Sequence, residues 1–221
     1  MSQEVLIRGP EELAEDKDLV EQTVENIGRT VGEEEVTARQ VKASDFEQRD
    51  DFNDVYHDIE DSRDFESPFE RNEGGLAGRN MTSVLILQPY AEQFRNTPVM
   101  HVTDRPIFVE DRKTGEASHV YGATQPSYHR PSAVLSNFTF QEMNPERHDL
   151  MMETLAYHEG GHLLSEDGDR EYRDKDQFGG GHCPGDDVMN GEDIWSDTYN
   201  RLENQLYCQA CTEEIREGLK N

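Results

Sequence analysis

Two histidines four residues apart, His158 and His162, can face one metal ion only where the chain between them is helical. The run His158-Glu159-Gly160-Gly161-His162 therefore constrains this chain more than any other five residues. On a helix both imidazoles share a face, and the Glu159 carboxylate can take a proton from water that the ion activates. A start signal for such a helix lies upstream, with Asn144 as N-cap and Pro145 at the first helical position. The spacing predicts a helix from there to about Leu164, with Met151, Leu155, His158 and His162 along one side. Gly160 and Gly161 oppose it by about 2 kcal/mol relative to two alanines. Either a metal bridging the histidines offsets that cost, or another strand or a substrate approaches too closely for a side chain.

The 221 residues are enough for one sizeable core. Acidic residues number 48 against 21 basic, a net charge of -27, and the excess runs from end to end. A disordered chain would share that charge but would lack periodic apolar segments, and this one has them. The balance fits a folded protein of a halophile, in which concentrated salt screens the self-repulsion. It argues against nucleic acid or an anionic membrane as partner. With no apolar leader and no run near 20 apolar residues, the expected location is cytoplasmic.

Along the chain, Glu4–Arg8 reads as a strand ended by Gly9-Pro10. Glu11 to about Val31 carries Leu13, Leu19, Val20, Val24 and Ile27 at helical spacing, and Val36–Val41 alternates as a strand does. Residues 44–80 form an acidic stretch with scattered Phe and Tyr, expected to be mostly ordered loop. Ser83–Gln88 is the most apolar run and reads as a central strand. Further strands are expected at Val99–Thr103, Ile107–Glu110, Ser118–Tyr121 and Ser132–Phe138, separated by turn signals such as Gln125-Pro126-Ser127. One domain, 1–221, is expected. Its parts are an opening unit at 1–43, the acidic region at 44–80, the core sheet and active-site helix at 82–164, and the remainder at 165–221.

After the helix come an acidic insert, then His182-Cys183, Val188-Met189-Asn190 and Cys208-Gln209-Ala210-Cys211. Three clustered cysteines beside histidines read as metal ligands, not as a disulfide framework. With His158-Glu159-Gly160-Gly161-His162, Val102-Thr103-Asp104 and Val120-Tyr121-Gly122, these segments resemble the archaemetzincin family from about residue 82 onward. The resemblance implies an α+β, metzincin-like (zincin) fold: a mixed twisted sheet, an active-site helix and a Met-turn at Met189. It implies a catalytic zinc on His158, His162 and His182, with Glu159 as general base. It also implies a second, structural zinc on Cys183, Cys208 and Cys211. The activity implied is hydrolysis of a peptide or protein substrate.

The sequence departs from the family pattern twice. The third histidine should follow the second by six residues, whereas His182 follows His162 by twenty; Asp167 and Asp169 are the substitutes nearer by. The fourth cysteine is missing, and Asp187 stands about where it should be, with Asp186 beside it. Residues 165–181 could therefore block the cleft, leaving a silent zinc-binding structural or interaction protein on the same fold. Tyr157 and Trp195 read as packing residues, and Tyr199 and His182 as the candidate oxyanion donors.

Overall fold

The computed structural model describes residues 3–32, 36–41, 76–77, 97–104, 106–110, 117–125, 132–165, 174–175, 181–183, 187–190, 202 and 206–220. Of residues 76–77, 108–110, 117–118, 125, 174–175 and 181–182 the backbone alone is described. The expected strand at 83–88, the acidic stretch at 44–75 and 78–80, and Asp167, Asp169, Asp186, Trp195 and Tyr199 lie outside the described residues.

The chain opens with β1 (Gln3–Arg8), whose Val5, Leu6 and Ile7 are fully buried, as a strand covered on both faces requires. A single 3-10 turn at Glu11–Leu13 leads into α1 (Ala14–Val31). That helix ends at Gly32, which adopts φ +79 and returns its N–H to the carbonyls of Arg29 and Gly28, a closure that favours glycine. The next strand, β2 (Val36–Gln40), pairs parallel with β1, completing the expected strand-helix-strand unit.

Beyond it come β3 (Leu76–Ala77), β4 (Val99–Thr103), β5 (Ile107–Glu110), β6 (Ala117–Val120), β7 (Gly122–Gln125) and β8 (Ser132–Ser136). The main sheet runs β2-β1-β4-β8-β7, parallel throughout except for β7, which lies antiparallel at one edge among the described residues. A second sheet orders β3-β5-β6. The sequence reading ends its strand at Tyr121 and places a turn at Gln125, so β7 between them is the element it missed.

Helix α2 (Pro145–Leu164) carries the histidine pair. Its start is the expected one: the Asn144 side chain accepts the Arg147 N–H at 3.0 Å and Pro145 follows the cap. α1 lies over β1 and β2, and α2 over β8 and β7. Between the two helices and the sheet sit Val5, Ile7, Met100, Val102, Leu135, Ile27, Met152 and Leu155 in one apolar cluster. A two-stranded antiparallel ribbon, β9 (Asp174–Lys175) with β10 (Gly181–His182), lies within the acidic insert. The last helix, α3 (Gln209–Gly218), packs on both α1 and α2, and its Arg216 guanidinium donates to the Val31 carbonyl. No helix among the described residues is long and apolar enough to cross a membrane.

Candidate metal centres

Both glycines of the motif face close neighbours of α2. A Cβ on Gly160 would stand 2.5 Å from Ile27 Cδ1 of α1, and a Cβ on Gly161 would stand 2.5 Å from Met189 Sδ. The close neighbours are thus a side chain of α1 and the Met189 turn, not a strand; the Ile27 tip can shift for a methyl at 160, whereas the buried Met189 leaves no room for one at 161. The helix then presents His158 and His162 with ring centroids 4.8 Å apart and planes at 81°. His158 is buried, whereas His162 is partly exposed.

His158 Nδ1 lies 2.6 Å from the Val188 carbonyl oxygen. A carbonyl only accepts, so Nδ1 carries the proton and donates it. Nε2 is left as the basic nitrogen, the arrangement a metal-binding histidine needs. Glu159, also buried, turns toward β7, where the Thr124 hydroxyl donates to its Oε2 at 2.5 Å. Gly122 makes room for that carboxylate, because a Cβ there would meet Glu159 Oε1 at 2.5 Å. Thr124 and Gly122 are thus the neighbours of Glu159; sequence reading quoted Gly122 within Val120-Tyr121-Gly122 but gave it no role, and did not name Thr124. The only signal for them was the Val-Tyr-Gly segment next to an unrecognised strand.

A second cluster is tied to the Met189 turn by backbone bonds from Cys183 and to Asp187. One ligand atom from each of Cys183, Asp187, Cys208 and Cys211 falls within 4.8 Å of the others. Cys183 Sγ and Cys208 Sγ stand 3.7 Å apart, far beyond disulfide length. Two thiolates on one tetrahedral zinc, at about 2.3 Å each, would be about 3.8 Å apart, so the spacing fits that ion. Burial, reinforced by Asp187 and the neighbouring Cys183 and Cys208, pushes the Cys211 thiol far above the usual thiol range. A bound cation would remove that opposition to ionisation. The Cys-x-x-Cys pair opens α3, with Cys208 at the N-cap and Cys211 in the first turn, so one helix start aims both sulfurs at the cluster.

The comparisons with known proteins agree with this architecture. No family model and no curated protein matches the sequence. Among solved structures, an archaemetzincin from Methanopyrus kandleri superposes with a TM-score of 0.56 at 18% identity, covering 100% of this chain and 97% of that one. An archaemetzincin from Archaeoglobus fulgidus, complexed with malonate, gives 0.52 at 15% identity, over 96% of this chain and 99% of that one. This chain has the archaemetzincin fold. What the three chains share at such identity is the path of the backbone.

Within that archaemetzincin fold, His158, Glu159 and His162 lie on one helix, and Cys183, Asp187, Cys208 and Cys211 come together in a separate cluster. Met189 lies directly beneath the helix, fully buried against Gly161. The backbone of His182 is placed in β10, opposite Asp174, one residue before Cys183, whose N–H bonds the Met189 carbonyl at 3.0 Å. The His182 side chain lies outside the described residues. Tyr157 is a packing residue, as expected: its carbonyl accepts the Tyr207 hydroxyl at 2.8 Å and its ring meets that ring edge-on.

Proposed function

We propose that this chain is a zinc-dependent metallopeptidase, a single domain over residues 1–221, with Glu159 as general base. His158, His162 and His182 are the ligands of the working ion, leaving one position for water. The observation that carries the reading is the His158 bond to Val188: with Nδ1–H committed to a buried carbonyl, the ring offers Nε2 to a cation, and His162 lies one turn away. When bound, zinc would acidify a water and polarise the scissile carbonyl. Glu159 takes the proton of the attacking water and returns it to the departing amine nitrogen. Thr124 keeps the carboxylate turned toward β7.

β7 is one of the two edge strands of the main sheet among the described residues, and a peptide extended along it would pass beside Glu159. An extended peptide or protein segment is thus the substrate class, and the net charge of -27 disfavours nucleic acid and anionic membranes. Cys183, Cys208, Cys211 and Asp187 hold a second, structural zinc. The test is hydrolysis of a mixed peptide library by zinc-loaded protein in concentrated salt. Glu159→Ala should lower the rate by about 10²- to 10⁴-fold with zinc content unchanged. Absence of hydrolysis by the loaded wild type, or a rate that Glu159→Ala leaves intact, overturns the proposal. The long separation of His162 and His182 supports the second reading, a silent zinc-binding protein, which full zinc loading without turnover would select.

A further inference from the structure

Asp187 is fully buried, and both of its carboxylate oxygens accept backbone N–H groups: Oδ1 takes Met189 N–H at 2.9 Å and Oδ2 takes Cys208 N–H at 2.8 Å. The first of these bonds has a particular partner. Met189 N–H and the Val188 carbonyl belong to one planar peptide group, so fixing one end fixes the other. The other end, Val188 O, is the acceptor of His158 Nδ1–H at 2.6 Å. Val188 is fastened independently by its own N–H, which donates to Leu206 O at 3.1 Å, and the turn is closed by Asn190 N–H to Asp187 O at 3.1 Å.

We propose that Asp187 is a positioning residue for the histidine centre, acting through the Val188–Met189 peptide as a carboxylate–peptide–histidine relay. This rests on the reading of His158 as a metal ligand. A carboxylate on the N–H end orients the peptide plane and polarises it, making Val188 O a stronger acceptor. A stronger acceptor at Nδ1 holds the His158 ring in register and raises the basicity of Nε2 toward a cation. A sulfur at position 187 could ligate the cysteine-cluster ion yet could not accept two backbone N–H groups as a carboxylate does. The aspartate thus ties the two centres together, where a cysteine would serve only one.

Cobalt(II) separates the two centres, because thiolate ligation gives a strong near-ultraviolet charge-transfer band and a histidine site gives weak visible bands alone. Metal-free protein in concentrated salt is titrated with cobalt for wild type, Asp187→Asn, Asp187→Cys and Cys211→Ser, with far-ultraviolet circular dichroism confirming the fold of each. Both Asp187 variants should lose about 10- to 100-fold in affinity at the histidine site, the range for removing a partner of a metal-bound histidine. Asp187→Cys should do so while keeping its thiolate band, a split that general loss of stability would not produce. Cys211→Ser leaves both Asp187 bonds in place, so it should weaken the thiolate band and leave the histidine site within about threefold of wild type.

Histidine-site affinity unchanged in both Asp187 variants overturns the relay. So does a Cys211→Ser variant that weakens the histidine site as much as they do. A wild type with the thiolate band alone overturns the reading of the histidine centre, and the relay with it.

Discussion

At the scale of single residues, three glycines around the histidine pair differ in what a side chain would meet. Gly122 leaves the space that the Glu159 carboxylate fills, so Gly122→Ala should displace the proposed base while leaving both histidines in place. Peptide hydrolysis should fall by at least about 10²-fold, the scale of losing a general base, with zinc content retained. Gly160 and Gly161 differ in what they face. A methyl at 160 meets the flexible tip of Ile27, and the helix gains about 1 kcal/mol in propensity, so Gly160→Ala should change stability little. A methyl at 161 meets the middle of the fully buried Met189 side chain and the Tyr207 ring. Gly161→Ala should therefore lower stability by about 1–3 kcal/mol and release zinc, readable by denaturant titration beside elemental analysis. Equal behaviour of the 160 and 161 variants would contradict this distinction.

At the scale of elements, α2 was legible because its determinants are local: an Asn-Pro start and an apolar face repeating every three to four residues. β1, α1, β2, β4 and β8 announced themselves in the same way, through apolar runs that the core later covers. β7 did not, because Gly122-Ala123-Thr124-Gln125 has little strand propensity and is held by pairing with β8. The strand that cups Glu159 is thus set by tertiary structure, which no window of sequence contains. The cysteine cluster was half legible: spacing named its three sulfurs, but only the fold shows Asp187 tying Cys208 to Met189. Thr124 tests the role assigned to β7. Thr124→Val keeps the shape and removes the hydroxyl that bonds the carboxylate, so kcat should fall about tenfold, the scale of losing one hydrogen bond to a charged group. An unchanged kcat would reduce β7 to a scaffold.

At the scale of the whole molecule, charge sets the conditions under which all of this holds. A net charge of -27 on 221 residues repels itself, and screening shortens from about 10 Å at 0.1 M salt to about 3 Å at 1 M. The midpoint of thermal unfolding should rise by several degrees over that range; a midpoint independent of salt would sink the halophilic reading. Within the acidic molecule, Arg8 and Lys17 are buried beside His101. Burial, with those two cations, holds His101 well below the usual histidine range. Its native form is neutral, while the unfolded ring binds a proton below about pH 6.5, so stability is full above that pH and declines as pH falls toward the folded value. In metal-free protein, His101→Asn should flatten that acid slope by up to one proton, about 1.4 kcal/mol per pH unit.

The proposed chemistry calls for two metal centres sharing the Met189 turn, and zinc per chain by elemental analysis tests that most directly. Wild type should hold two ions, falling to one in His158→Ala/His162→Ala and to one in Cys208→Ser/Cys211→Ser. A wild type with one ion, lost in the cysteine variant and untouched in the histidine variant, would contradict it.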